Sequence, residues 1–276
     1  QGLMVTADPS GYVLFVIPSI LVSIAITPIL LSISPTPAFE TTKAMSLREL
    51  MGFSPLGCVG MFLLGGVFSA QFGMASVYGS EAGLSVGEIS TFVATIFIGG
   101  MLTQYPLGWL SDRMDRRALI ALTAAVGAVG ASIGVMSNGD FNLILVAAFL
   151  MGSTSNPLYS LLLAYTNDFL DHEDMAAGSG GMIFLNGLGA VSGPLITGWM
   201  MSVFGPSGFY MLIGVLFAML AIYAVYRATQ RAAIPVDETG SFVAMSQSAM
   251  TPVAMEIAQE YAIETDLEDE SEIPAE

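Results

Sequence analysis

The stretch Met175–Tyr226, MAAGSGGMIFLNGLGAVSGPLITGWMMSVFGPSGFYMLIGVLFAMLAIYAVY, runs for 52 residues without a charged side chain. A transmembrane helix needs about 20 predominantly apolar residues, so this run is long enough for two. Gly205-Pro206-Ser207-Gly208 divides it with a strong turn signal. The same reading extends toward the start of the chain. Between Asp8 and Glu40, and again between Glu49 and Glu81, lie 31 uncharged residues; the gaps Glu88–Asp112, Arg117–Asp140 and Asp140–Asp168 hold 23, 22 and 27. The expected spans are 12–33, 54–78, 88–110, 118–137, 141–165, 177–203 and 208–227. The runs are too long and too continuously apolar for barrel strands. The fold class expected is therefore all-α: a polytopic membrane helix bundle with seven transmembrane helices. Composition agrees, because 54% of the 276 residues are hydrophobic and only 11% charged, against about 25% charged in a soluble protein. The mean hydropathy is +0.72.

The net charge of −16 is concentrated in the tail. Residues 232–276 hold eleven acids and no base, whereas the rest of the chain holds twelve acids and seven bases. With no basic patch, nucleic-acid binding has no support. The bases are Lys43, Arg48, Arg113, Arg116, Arg117, Arg227 and Arg231. They follow spans one, three and seven and avoid the loops after two, four and six, the parity of the positive-inside rule. The expected topology puts the start of the chain outside and the tail in the cytoplasm. Gln1-Gly2-Leu3-Met4 shows neither an initiator Met nor a leader pattern. The chain is therefore expected to be the carboxy-terminal portion of a longer membrane protein. Beyond Arg231 the sequence turns polar and acidic; a short helix is expected near Ala254–Ile263 and a solvated run from Glu264.

No Asp, Glu, Lys, Arg or His lies well inside a span, and His172 is the single histidine. That excludes a retinal receptor, which needs a lysine in its last span, and intramembrane metallo- and aspartyl proteases. One cysteine, Cys58, excludes an internal disulfide and a multi-cysteine metal site; it reads as a packing residue. No cofactor and no catalytic group is expected. Uncharged polar side chains do enter the spans: Gln71, Gln104, Asn156, Tyr159 and Asn186, with Ser69, Ser76, Thr91, Thr95 and Thr103 near them. An unpaired amide facing lipid is costly, so each should face another helix or a wet cavity. Gly130-x-x-x-Gly134 and Gly189-x-x-x-Gly193 permit close helix approach. Gly65-Gly66, Gly99-Gly100, Pro18, Pro28, Pro157 and Pro194 are candidate bends. Ser85-Val86-Gly87-Glu88 fits a capping box, giving Glu88 a structural role rather than that of a coupling acid.

The loop after the third span reads Gly108-Trp109-Leu110-Ser111-Asp112-Arg113-Met114-Asp115-Arg116-Arg117. It resembles the G-x-L-[AS]-D-R-x-x-R-R signature of the major facilitator superfamily. Asp115 stands where that family often has glycine. Gly187–Gly198 is similar to the G-x-x-x-G-P-x-x-G pattern of the family's fifth and eleventh spans. Gln104–Gly108 and Thr166–Leu170 resemble the bacterial YcaD-like subgroup. The resemblance implies family spans six to twelve: the last span of the amino-terminal half in 1–34, an inter-half linker in 35–53, the carboxy-terminal six-helix bundle in 54–228 and a cytoplasmic tail in 229–276.

It further implies a secondary transporter of a small solute by alternating access, not an enzyme, in a bacterial inner membrane. The partners implied are a small-molecule substrate, the bilayer and the missing amino-terminal half, with a coupling proton left open. The alternative is a transporter-derived sensor or scaffold that signals through the acidic tail. Gln71, Gln104, Asn156, Tyr159 and Asn186 are the candidate substrate-binding residues. Gly108, Asp112, Arg113, Arg116, Arg117 and Asp168 are the candidate gate. Asp112 is placed to accept from a helix N-terminus, that of span six near Ala177 being the candidate. The arginines have Asp168, Asp171, Glu173 and Asp174 as candidate partners. Their plainer role is to set topology and bind anionic lipid.

Overall fold

The structure, a computed structural model, describes residues 16, 19–24, 45–230, 240 and 242, the side chains of 172 and 173 excepted. Within those residues the chain runs α1 (Leu47–Phe53), α2 (Pro55–Phe68), a π-helical turn (Ser69–Gly73), α3 (Ala75–Glu81), α4 (Val86–Ser111), α5 (Arg116–Met136), α6 (Phe141–Asn167), α7 (His172–Phe204) and α8 (Ser207–Gln230). Among them, six segments are long and apolar enough to cross a membrane: α2 with its π turn, and α4 to α8. These coincide with six of the seven expected spans. The remaining one, 12–33, lies largely outside the described residues, of which 19–24 are helical. The expected linker is described only from Met45 and there contributes α1; the expected tail helix and solvated run also lie outside.

Helix boundaries follow local chemistry. Ser46 and Ser85 each close a reciprocal capping box, with Glu49 and Glu88. At the second, the Ser85 N–H donates to Glu88 Oε2 at 2.8 Å. Replacing Ser85 with Ala is expected to cost about 1 kcal/mol, read as a lowered melting temperature in micelles. Asp140 caps α6 through the Asn142 N–H at 2.8 Å. Gly205, at φ +68°, makes the turn between α7 and α8, a backbone region that glycine enters freely.

The segment expected as one span over 54–78 differs. Its α-helix ends at Phe68, gives way to the π turn, and resumes at Ala75. The Ser69 N–H is shared between the Gly65 and Gly66 carbonyls, and its Oγ also donates to Gly66 O at 3.1 Å. Three glycines (65, 66 and 73) lower the helical preference on both sides. Insertions of this kind recur at functional sites.

Packing sets α2 at the centre, against α7, α8 and α6; α4 pairs with α6, and α5 with α6 and α8. The α2–α7 seam is built on glycine. A Cβ at Gly65 would overlap the Asn186 carbonyl, one at Gly189 the Phe62 carbonyl and one at Gly193 the Ser69 hydroxyl. Gly99 and Gly152 bring α4 and α6 together in the same way. Such contact replaces the hydrophobic effect, which does not act between helices in lipid. One end of the bundle is closed by an aromatic cluster: Tyr78 stacks on Phe209 at 4.8 Å and meets Phe92 at 5.5 Å and Tyr210 at 5.0 Å. The other end gathers α1, the α4–α5 and α6–α7 loops, and the segment beyond α8, because an even number of crossings separates each from the next. α4 and α7 carry the most exposed apolar side chains, among them Met101, Tyr105, Val191, Leu195 and Trp199.

Candidate functional site

Two groups of polar residues stand out, one at the base-bearing end and one at membrane depth. At the end, Asp115 caps α5 by accepting from the Arg117 N–H at 2.9 Å. Its φ of −55° needs no glycine, so the departure from the family's pattern is accommodated. Its carboxylate also takes Arg117 in a two-pronged pair, from Nε at 3.0 Å and Nη2 at 2.7 Å. That bond to Arg117 holds the Asp115 carboxyl below its ordinary value, with burial opposing. The stability it contributes is present above the ordinary value and lost as pH falls through the lowered one.

The cap fixes the first turn of α5 and so aims Arg116 inward. Arg116 is only 4% exposed. It donates from Nη1 to Asp168 Oδ1 at 2.6 Å, from Nη2 to Asp112 Oδ1 at 3.3 Å, and from Nε to Ser111 Oγ at 3.0 Å. The Arg116 and Asp168 side chains are each 3% exposed, that of Asp112 39%. Burial raises the Asp168 carboxyl above its ordinary value, against the pull of Arg116 and a backbone hydrogen bond from Gly240. Arg113 stands apart. It lies over the Trp109 ring at 4.2 Å and donates to the Trp109 carbonyl at 3.0 Å.

The six expected gate residues are thus near one another; Arg116 pairs with Asp168, one of its expected partners, while other contacts differ from those expected. Asp112 accepts from the Phe242 N–H at 3.0 Å and from Arg116, rather than from the start of α7 near Ala177. Among the described residues the arginines' ion pairs run to Asp112, Asp115 and Asp168, and not to Asp171 or Asp174; the Glu173 side chain lies outside the description. The reason is local. The α5 cap already commits Arg117 to Asp115, and the α6 C-terminus delivers Asp168 to Arg116. Asp168 continues α6 at its C-cap. Gly240 and Phe242 were not anticipated as part of this cluster. Their signal in the sequence is faint, a short apolar run Phe242-Val243-Ala244-Met245 between polar residues.

At membrane depth the five expected substrate-binding residues fall on two seams. On the α4–α6 seam, Gln104 Nε2 donates to Ser160 Oγ at 3.1 Å, and Asn156 sits directly against Gly100. Thr103 Oγ1 donates to the Ser153 carbonyl at 2.7 Å, so Ser153, Ser160 and Thr103 belong to the seam as well. On the α2–α7 seam, Asn186 Nδ2 donates to the Met61 carbonyl at 3.3 Å. Tyr159, from α6, tilts against Phe68 of α2 at 6.4 Å and connects the two seams. Gln71 lies in the π turn, fully buried. Among the described residues its amide atoms have no hydrogen-bond partner, nor do the Tyr159 hydroxyl and Ser155 Oγ. No three His, Cys, Asp or Glu residues among those described group as a metal site.

Comparison with known proteins fits this architecture. Residues 57–254 match the Major Facilitator Superfamily. The chain is 24% identical over 176 residues, 64% of its own length, to the "Uncharacterized MFS-type transporter YcaD" of Escherichia coli O7:K1, of which the match covers 44%. The same-named proteins of Escherichia coli O9:H4 and K12 are 24% identical over 172 residues, covering 62% of this chain and 43% of each relative. The chain spans less than half the length of these relatives. The chain is a multi-pass membrane protein that belongs to the Major Facilitator Superfamily, and the relatives it resembles are YcaD-like MFS-type transporters.

Proposed function

We propose that this chain is the carboxy-terminal part of a secondary transporter that moves a small solute by alternating access in a bacterial inner membrane, with the base-bearing end cytoplasmic. The observation that carries the reading is the buried Arg116–Asp168 pair, with Asp112 beside it, at one end of a bundle whose spans hold amides but no charge well inside them. Breaking and remaking such a cluster gives an end two discrete arrangements. An uncharged, hydrogen-bonding interior suits neutral or amphipathic solutes. A titratable group for proton coupling would come from outside this chain. The exposed faces of α4 and α7 suit contact with lipid and with an amino-terminal half. No bond of the solute is broken, so no enzymatic role is proposed.

Solute exchange in proteoliposomes containing the full-length protein, over a panel of neutral and amphipathic solutes, tests this. Saturable exchange is expected for at least one solute class. Asp112→Ala should lower its rate about tenfold, the effect of losing hydrogen bonds to a charged group, while insertion stays normal. Exchange indifferent to Asp112→Ala would remove the gating role; a folded protein that moves no solute would overturn the transport reading. The docking of Phe242 on the cluster favours a second reading, a sensor or scaffold acting through its tail. Deleting residues 235–276 separates the two, since a carrier keeps most of its exchange and a sensor loses its output.

A further inference from the structure

Gly240 and Phe242 lie on the charged cluster although 124 positions separate Gly240 from Arg116 and 130 separate Phe242 from Asp112. The Arg116 Nη2 donates to the Gly240 carbonyl. A backbone hydrogen bond from Gly240 reaches the Asp168 carboxylate. The Phe242 N–H donates to Asp112 Oδ1 at 3.0 Å. The Phe242 ring is half-buried against the core and rests on Gly108, where a Cβ would come within 2.5 Å of Phe242 Cδ1 and 2.7 Å of Cε1. Two residues of the tail therefore engage α4 at Gly108, its C-cap at Asp112, α5 at Arg116 and the end of α6 at Asp168.

We propose that this part of the tail is a strap that holds the base-bearing ends of α4, α5 and α6 together and so restrains opening there. The proposal deepens the transporter reading and rests on it for the word opening; the docking itself does not. Three features argue for a specific seat. Main-chain donors and acceptors complete the bonding of two buried charges, Arg116 and Asp168, which need partners, and add a bond to the exposed Asp112 beside them. The ring fills a place that only glycine leaves vacant at position 108. The polarity also matches, because the amide meets the carboxylates and the carbonyl meets the guanidinium. A strap made of backbone groups and one ring is released without unpairing Arg116 from Asp168, so the end can loosen while its buried ion pair survives. In this arrangement Gly108 serves as the seat of the tail, in addition to the close approach of helix ends expected from the sequence.

Hydrogen exchange on the full-length protein in nanodiscs tests it. In the native protein the Phe242 amide and the segments 108–118 and 165–172 should be protected. Phe242→Ala should speed exchange in all three about tenfold, the effect of losing the partly buried ring that seats those main-chain bonds, and leave 60–68, in the α2–α7 seam, unchanged. Deleting residues 235–276 should do the same in 108–118 and 165–172. A synthetic peptide of residues 236–246 added to that deletion variant should restore protection, and the same peptide with Phe242→Ala should not. Exchange in 108–118 and 165–172 that is indifferent to Phe242→Ala and to the deletion would overturn the strap. Absence of solute exchange in every variant, with these protection changes intact, would instead overturn the transport reading and leave the strap standing.

Discussion

Asp168→Ala is expected to destabilise the fold by about 3–5 kcal/mol, because it strands a buried guanidinium. Arg116 and Asp168 are both 3% exposed and only 2.6 Å apart. Ser111 and the Gly240 carbonyl bond Arg116 without charge, and the one remaining carboxylate paired with it among the described residues, Asp112, is 3.3 Å away and 39% exposed, so it compensates only in part. Thermal unfolding of the full-length protein in micelles would show it as a large drop in Tm. The pair itself is not the source of net stability. The raised Asp168 carboxyl means that the cost of desolvation outweighs the attraction of Arg116. The sign follows: a carboxyl raised by folding contributes stability below its ordinary value, and that contribution is lost as pH rises through the raised one. Replacing both residues, Arg116→Leu with Asp168→Leu, should therefore recover most of the loss, while abolishing whatever switching the cluster performs. A single variant as stable as the native protein would show that the cluster is solvated.

Gly189→Val should be the other severe change. A Cβ at Gly189 meets the Phe62 carbonyl, and Gly65 on the facing helix meets the Asn186 carbonyl. Backbone atoms cannot rotate out of the way as a side-chain tip does, so the two helices must separate. Overpacking costs about 1–3 kcal/mol and more where nothing can yield; here the upper end is expected, together with loss of the Asn186–Met61 bond. Size-exclusion profiles of fluorescent fusions would show loss of the monodisperse peak. Gly180 and Gly187 lie on the same helix with open space where a Cβ would go. Gly180→Ala and Gly187→Ala should leave the peak intact, because alanine is the better helix former. Equal losses at Gly187 and Gly189 would mean that glycine content, not the crossing, matters.

The charge gaps made the helices legible. Six expected spans lie within the described residues, and their ends moved by a few residues, as from 177–203 to His172–Phe204. The break in the second span was harder to read. Gly65-Gly66 pointed to a bend, but the irregular turn came at Ser69–Gly73, where a shared backbone donor and packing against α7 set its place. Among polar residues, sequence could select the amides but not their partners. Gln104 and Asn156 share a seam, Asn186 ties a different one, and Gln71 is sealed within the π turn. Facing direction is a property of helix rotation, which neighbouring helices fix.

The sequence by itself determined that this chain is a membrane protein, which segments are long and apolar enough to cross the bilayer, and which loop carries the family's signature. Those are consequences of transfer free energy, a property of each stretch taken alone. Only the tertiary structure decided that Arg116 turns to Asp168 while Arg117 folds back on Asp115, and that Phe242 reaches Gly108 from beyond four further helices. Such choices depend on which helix ends meet in space. In a bundle that is settled by close approach at glycines and by the demand of buried charges for partners, neither of which is written at any one position.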